Sequence, residues 1–252
     1  MNPEIVYLYD GSFEGLLCCV FESYEKKEHP TAVLPYDEPQ ATLFRQKEIV
    51  TDPAKAARVL RAIPRKLGPD ALDFVRRAFL TCLPGRALLI LNFLRLGFTH
   101  GPSVLRMLTD DTVSILSKAV LHLNHEGHLL TGFLRFSDYS GVLVAEIEPK
   151  NFVLPIIAQH FCERFPEEQF LIHDKTHQTA LFYQPYQCRF AAADAIELPK
   201  ASKEEETWRA LWRLFHQTVE IKPRRNPRCQ RSHLPLRYRG CMTEFSALGK
   251  ET

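Results

Sequence analysis

Apolar side chains near the N-terminus follow first a strand period and then a helical one. The β-rich run Ile5–Tyr9 predicts a strand, and the apolar residues of Phe13–Glu25 share one face of a predicted helix. Ser12 follows the turn residues Asp10 and Gly11 and suits the helix N-cap, although the start of a helix is also an alternative anion site. The pattern therefore predicts a strand that leads directly into a helix.

The region from His29 to Asn124 changes from loop to helix. Three prolines in His29–Gln40 predict a loop, which leads to a short strand near Thr42–Val50. The pattern from Pro53 to Asn124 is helical. Prolines and glycines indicate three boundaries between short helices, at Ile63-Pro64, Leu83-Pro84-Gly85 and Gly97 to Pro102. This region is therefore expected to hold about four helices.

Strand-like patterns dominate after Gly127, a residue expected to weaken or end the preceding helix. Short strands are predicted at Gly132–Phe136, Val142–Ile147, Gln169–His173, Thr179–Tyr183 and Gln187–Ala191. Helices are predicted at Phe152–Arg164 and at Glu204–Val219, where Trp208, Leu211, Trp212 and Phe215 share a face. The predicted fold class is α+β, with a helical section (1–124) followed by a mainly antiparallel sheet with inserted and C-terminal helices (125–252).

Charge is distributed unevenly along a chain of otherwise average composition. Of its 252 residues, 45% are apolar and 25% charged, which excludes a collagen-like, low-complexity or disordered chain. The formal net charge is only +2. Residues 222–239, here called the basic tail, hold seven basic and no acidic residues, which leaves 25 basic and 30 acidic residues elsewhere. The basic tail predicts an anionic partner.

Cysteine usage and hydropathy indicate a cytoplasmic protein. The seven cysteines are scattered, unlike the framework of a secreted scaffold, and are expected to be reduced thiols. The longest apolar stretch, Ala87–Leu94, is interrupted by Asn92 and is shorter than the roughly 20 residues of a membrane helix. No export signal is visible, because Glu4 and Asp10 stand where such a signal has positive charge and an apolar core.

Several short motifs occur in a fixed order along nearly the whole chain. They are Tyr9-Asp10-Gly11-Ser12-Phe13-Glu14-Gly15, Glu126-Gly127-His128 running to Phe136, Ile147-Glu148-Pro149, His160 to Phe165, Ile172-His173-Asp174-Lys175, and the C-terminal Arg225-Asn226-Pro227, Gln230, Pro235, Arg237-Tyr238 and Thr243-Glu244-Phe245. With them the chain resembles a bacterial family of DNA-metabolism or DNA-repair proteins encoded beside a radical-SAM, helix-hairpin-helix protein. Its middle and C-terminal part resembles a domain of unknown function also found fused to uracil-DNA-glycosylase-like domains.

The resemblance implies one family-wide unit over residues 1–252 and a setting in DNA repair, without an assigned reaction or cofactor. It implies a protein that binds DNA and acts with the radical-SAM partner. Two alternatives are a glycosylase- or nuclease-like enzyme acting on damaged or modified DNA, and a protein-interaction subunit without DNA affinity. Arg239 departs from the family pattern, because an aromatic residue is expected after Arg237-Tyr238.

The basic tail provides the candidate nucleic-acid-binding residues. Guanidinium groups bind phosphates through planar, bidentate hydrogen bonds, and aromatic rings can stack on bases. The candidates are Arg224, Arg225, Arg228, Arg231, Arg237, Tyr238 and Arg239. In the alternative interpretation, these arginines pair with the acidic remainder of the chain and fix the tail in place.

Candidate catalytic residues lie within the resemblance. Glu126, His128, His160 and Asp174 could supply acid/base chemistry in a cleft between the helical section and the sheet. Each also has a structural interpretation, as a capped helix end, a surface pair or a turn. Two possible metal clusters, His122, His125 and His128, and Cys229, His233 and Cys241, lack a complete set of ligands with firm spacing, so no metal site is predicted.

Overall fold

Two compact units, Met1–Leu123 and Asn124–Thr252, divide the chain in the computed structural model. The structure describes residues 5–37, 44–194, 196, 201–219 and 221–245, without the side chain of residue 222. Residues 42 and 43 of the predicted second strand, and the side chain of Lys222 in the basic tail, therefore lie outside the described part.

A three-stranded parallel sheet lies in the first unit, in the order β2-β1-β3. Its strands are β1 (Ile5–Tyr9), β2 (Ala32–Pro35) and β3 (Arg45–Glu48). The central strand β1 is buried over nearly its whole length, as expected for a parallel strand with covered faces. Helix α1 (Phe13–Glu25) follows, and the hydroxyl of Ser12 accepts the N–H of Gly15 at 2.9 Å, which confirms the predicted cap.

Helices pack against this sheet to form the core of the first unit. They are α2 (Pro53–Leu67), α3 (Pro69–Phe79), α4 (Arg86–His100) and α5 (Asp111–Phe133), with a 3-10 turn at Gly101–Arg106; α5 continues into the second unit. Leu91, Phe93 and Leu94 of α4 are completely buried. The segment Arg86–Arg106 could cross a membrane by length and composition, with mean hydropathy 1.2, a property that core helices share. Here α4 is a core helix of the first unit.

A five-stranded, mainly antiparallel sheet forms the centre of the second unit, in the order β4-β5-β6-β7-β8. The strands are β4 (Ser137–Tyr139), β5 (Val142–Ile147), β6 (Gln169–Asp174), β7 (Thr179–Gln184) and β8 (Gln187–Ala192). Only β5 and β6 pair in parallel, because α6 (Leu154–Arg164) connects them as a crossover. Helices α7 (Lys203–Thr218) and α8 (Pro227–His233) follow the sheet. This arrangement confirms the predicted α+β class.

Four local predictions are wrong. Strand β2 lies in the predicted loop, where it pairs with β1 from Val6↔Ala32 onward. Pro64 lies in the last turn of α2 and does not end it, since the buried Ile63 and Leu67 hold the turn against the core. Gly127 does not end α5, which continues to Phe133. The strand predicted at Gly132–Phe136 is also wrong, because its first two residues are helical and β4 begins only at Ser137.

Packing explains why α5 continues through Gly127. A Cβ atom at this position would lie 3.2 Å from Cγ2 of Ile156 in α6. The glycine therefore allows α6 to approach the backbone of α5 closely, at the modest cost in helix propensity that a glycine carries.

A charged network fixes β3 to the edge of α1 in the first unit. Lys47 donates to Glu28 at 2.7 Å and lies 3.0 Å from Glu22, and the hydroxyl of Tyr7 donates to Glu28 at 2.5 Å. Burial alone would raise the pKa of both carboxyls, but the hydrogen bonds outweigh it and lower both values.

The network is expected to make the first unit sensitive to acid. Because the pKa values of Glu22 and Glu28 are lowered on folding, their contribution is present above the unfolded-state pKa of about 4.3 and is lost at lower pH. Lys47→Met should lower the free energy of unfolding by about 1 kcal/mol at neutral pH. In urea titrations this difference should shrink below about pH 4. Lys118→Met, at an exposed position, is the control; a Lys47→Met effect that does not depend on pH would refute the prediction.

Candidate nucleic-acid interface

The described arginines in the first half of the basic tail are exposed. Residues 223–233, here called the arginine segment, include the end of a 3-10 turn and the short helix α8, which Asn226 caps by accepting the N–H of Cys229 at 3.0 Å. Arg224, Arg225, Arg228 and Arg231 are all exposed, and the segment contains no acidic residue. Since Arg228 and Arg231 are three residues apart on α8, they share a face of the helix.

The second half of the basic tail is packed against the second unit. Arg237 lies 2.8 Å from Glu126 of α5, and its guanidinium group lies 4.5 Å above the ring of Tyr238. Tyr238 is only 3% exposed, and its ring lies 5.6 Å from that of Phe133. For Arg237, these contacts match the alternative interpretation, in which the arginines pair with acidic residues and fix the tail in place.

Further contacts lie within this packed segment, which comprises residues 236–245 and is here called the anchor, and between it and Arg135. The guanidinium group of Arg239 lies 4.6 Å above the ring of Phe245. Arg135 pairs with the buried Glu244 at 3.1 Å, and its backbone N–H donates to the carbonyl of Cys241. Four of the seven candidate binding residues therefore lie in the exposed arginine segment, at 224–231, and three lie in the anchor, at 237–239, where Tyr238 is buried and Arg237 pairs with Glu126 while its side chain stays 40% exposed.

Glu126 of α5 is the acidic residue that pairs with the anchor. Its side chain is 2% exposed and accepts the N–H of Lys150 at 3.0 Å, the N–H of Asn151 at 2.8 Å and the side-chain amide of Asn151 at 2.6 Å. With the ion pair to Arg237, this carboxylate joins α5, the loop after β5 and the C-terminal segment. These bonds give Glu126 a structural role, and its catalytic role stays a prediction.

Asp174 is also buried and hydrogen-bonded. It accepts the N–H groups of Thr176 and His177, and its Oδ2 lies 2.7 Å from Nδ1 of His177. The side chain of His177 is 28% exposed. A carboxylate that holds one imidazole nitrogen leaves Nε2 to exchange protons, so this pair has the geometry of a general base as well as that of a turn. Sequence reasoning missed His177, although its spacing of three residues from Asp174 was a visible signal.

His128 and His160 lie apart from these two carboxylates. Both side chains are exposed, and the His160 ring packs edge-on against Phe161 at 5.0 Å. In the described part of the chain, no hydrogen bond or ion pair joins either histidine to Glu126 or Asp174. Among those residues, too, no group of three His, Cys, Asp or Glu side chains could hold a metal ion. The four catalytic candidates are thus not brought together by direct contacts.

Helix α7 exposes its apolar face, which sequence reasoning identified as amphipathic without assigning it a role. Trp208, Leu211 and Phe215 are 63%, 50% and 55% exposed. The rings of Trp212 and Phe215 stack with centroids 5.6 Å apart. Large aromatic surfaces in contact with water are unusual in a folded protein and indicate a binding surface.

Polar contacts attach α7 to the sheet. Glu205, the one residue of α7 that is buried in the described structure, accepts the N–H of Asp138 at 3.3 Å and pairs with Arg209 at 2.7 Å. Arg209 also donates to the hydroxyl of Ser137 at 2.7 Å. The helix therefore packs through its polar side on β4 and leaves its aromatic side free.

Comparison with known families finds a match that covers most of the second unit and part of the first. A family model for a domain of unknown function, DUF4130, matches residues 84–244, which include α4, α5, the five-stranded sheet, the arginine segment and most of the anchor. The chain therefore belongs to the DUF4130 family. No curated protein matches it significantly.

Proposed function

We propose that this protein binds nucleic acid through its arginine segment and acts in DNA repair or DNA metabolism. The observation that carries the proposal is the exposure of Arg224, Arg225, Arg228 and Arg231 in a segment without any acidic residue. Phosphate contacts of this kind supply most of the affinity of non-specific nucleic-acid binding. The repair setting rests on the sequence resemblance.

Helix α7 supplies the second part of the proposed interface. Its exposed Trp208 and Phe215 offer flat surfaces on which unpaired bases can stack, each stacked base contributing about 1–3 kcal/mol. The guanidinium group of Arg135, which pairs with Glu244, lies 5.9 Å above the Trp212 ring. Stacking of bases on exposed aromatic rings is typical of proteins that bind single strands, so we expect a preference for single-stranded over duplex DNA.

The salt dependence of DNA binding tests the proposal. Arg228→Ala/Arg231→Ala should lower the slope of log K against log salt by about 1.4 for a single strand and about 1.8 for a duplex, because two phosphate contacts are lost. The slope is measured by fluorescence anisotropy of labelled oligonucleotides.

Two variants serve as controls for this experiment. Arg164→Ala/Arg189→Ala removes two exposed arginines elsewhere in the second unit and should leave the slope unchanged. Trp208 and Trp212 are the two tryptophans of the chain, so quenching of intrinsic fluorescence by a single strand would report contact at α7. Equal slopes for the native chain and Arg228→Ala/Arg231→Ala would exclude the arginine segment as the interface.

A protein-interaction role is the second candidate, and the aliphatic part of α7 favours it. Leu211 and Leu214 are 50% and 57% exposed, as is common where a partner helix or sheet covers an apolar face. The resemblance suggests the radical-SAM, helix-hairpin-helix protein as that partner. This role would be favoured if the native chain captured the radical-SAM protein, if Leu211→Asp/Leu214→Asp did not capture it, and if the native chain had no affinity for DNA.

A further inference from the structure

A pocket of about 380 Å³ opens on the surface of the first unit, between α1, α2 and α4. Its floor includes Val20 and Val59, which are 0% and 6% exposed. Its walls include the rings of Phe21 and Tyr24 from α1 and of Phe98 from α4. The volume falls in the range of about 300–1,000 Å³ that is typical of small-molecule sites.

The aromatic residues of the pocket form a partly exposed apolar surface. Phe21 and Tyr24 are three residues apart on α1 and therefore share a face of the helix. The rings of Tyr24 and Phe98 meet edge to face with centroids 5.9 Å apart, and Tyr24 is 45% exposed. A planar ligand can lie against such rings in an offset or edge-on arrangement.

Four cations lie over these rings, namely Lys55, Arg58, Lys66 and Arg95, and two of them, Arg58 and Lys66, line the pocket. Arg58 lies 5.5 Å above the ring of Phe21, and Lys66 lies 5.4 Å above that of Phe98. Both project from α2, with the small residue Ala62 between them in the pocket lining. Throughout the part of the chain that the structure describes, no carboxylate lies within 4.0 Å of either cation. They are thus positive charges without an acidic partner at an aromatic pocket.

Basic residues outnumber acidic ones in the lining of the pocket. Helix α2 carries five basic residues and no acidic one. Glu25 also lines the pocket, but its carboxylate lies 3.7 Å from Lys26 and 4.0 Å from Lys55, so its charge is already balanced. The pocket is therefore suited to an anion that carries a flat ring system.

We infer that this pocket binds a nucleotide, with the base against the rings of Tyr24 and Phe98 and the phosphate at Arg58 and Lys66. Either a free nucleotide or one unit of a single strand has this chemistry. The site lies in the first unit and uses none of the basic tail, so it goes beyond the nucleic-acid binding proposed above. It would give the protein a second, separate point of contact with nucleotides.

Calorimetric titration of the full chain tests the inference, with deoxyadenosine monophosphate and with a single-stranded oligodeoxyadenylate as ligands. Arg58→Ala/Lys66→Ala should weaken binding of the monophosphate by about tenfold or more, since two charge-assisted hydrogen bonds to phosphate are lost. Ala62→Met, which fills the pocket without changing its charge, should weaken binding as well. The matched control Arg61→Ala/Arg65→Ala removes two cations from the same helix outside the pocket lining and should change affinity less than about twofold.

The two ligands distinguish the possible sources of the nucleotide. Equal affinities for the monophosphate and the oligodeoxyadenylate would indicate that the pocket takes a free nucleotide. If the native chain binds the oligodeoxyadenylate more tightly, and Arg58→Ala/Lys66→Ala weakens that binding, the pocket takes one unit of a strand. The inference is overturned if the native chain does not bind the monophosphate, or if the control variant loses as much affinity. Arg228→Ala/Arg231→Ala should leave monophosphate binding unchanged, so failure of the arginine-segment proposal would be seen separately.

Discussion

Replacing Glu126 with alanine is expected to lower the free energy of unfolding of the second unit by about 2–4 kcal/mol, because buried donors lose a charged acceptor. The substitution removes a buried carboxylate that accepts two backbone N–H groups and the side-chain amide of Asn151 and that pairs with Arg237. Urea unfolding followed by circular dichroism measures the loss. Amide hydrogen exchange at Lys150 and Asn151 should accelerate, because these N–H groups donate directly to Glu126.

Two variants separate this structural role from a catalytic one. Arg237→Ala removes one of the four interactions and should cost less than Glu126→Ala. His128→Ala changes an exposed residue of the same helix and should be nearly neutral. If Glu126→Ala unfolded like His128→Ala and kept its slow exchange at Lys150 and Asn151, the carboxylate would not hold the anchor and the catalytic prediction would gain support.

Gly15→Ala is expected to destabilise the first unit by about 1–3 kcal/mol. A Cβ atom there would lie 2.1 Å from Oδ1 of Asp10 and 2.9 Å from Oγ1 of Thr51. Asp10 cannot move away without loss, because its carboxylate accepts the N–H of Ser12 at 2.9 Å and the hydroxyl of Thr51 at 2.7 Å. Urea unfolding measures the effect.

The control for this prediction is another helical glycine. Nothing lies within 4 Å of a Cβ atom at Gly132 of α5, so Gly132→Ala should be neutral or stabilise the protein slightly. Combining Gly15→Ala with Asp10→Ala should cost less than the sum of the two single changes, because the second removes the closest clash of the first. Additive effects, or a Gly15→Ala variant as stable as Gly132→Ala, would contradict this account.

The same geometry gives the start of the first helix a structural explanation. Its start was predicted as a cap with an anion site as the alternative, and the chain's own Asp10 carboxylate accepts the N–H and the hydroxyl of Ser12. The cap is confirmed by the bond from Gly15 to Ser12. The motif from Tyr9 to Gly15 therefore has a structural explanation in the close approach of the helix to Asp10.

Most element positions followed from local pattern, whereas the failures came from long-range packing. The strands β5 to β8 and the helices α1 and α7 were predicted within one or two residues, because their residue periods are regular. The strand β2 was missed because its four residues, which end on Pro35, become a strand only by pairing with β1. The helix through Gly127 was missed because the reason for the glycine lies in α6.

In the candidate site, too, the local features were predictable from the sequence and the long-range contacts were not. The sequence identified the basic tail by charge alone, but it could not separate Arg228 from Arg237, since both are arginines in an acid-free segment. The acid that pairs with Arg237 is Glu126, more than a hundred residues earlier in the chain. The pocket at Phe21, Arg58 and Phe98 gave no local signal, because its residues come from three helices.

By itself, the sequence determined the α+β class, the order of most elements and the position of the basic tail, since each depends on local periodicity or on summed charge. Tertiary structure decided that Arg237 of the tail pairs with Glu126, which buried carboxylates are already hydrogen-bonded, and that α7 turns its aromatic face to solvent. Those outcomes depend on ion pairs and packing between residues distant in sequence. Their geometry exists only once the chain has folded.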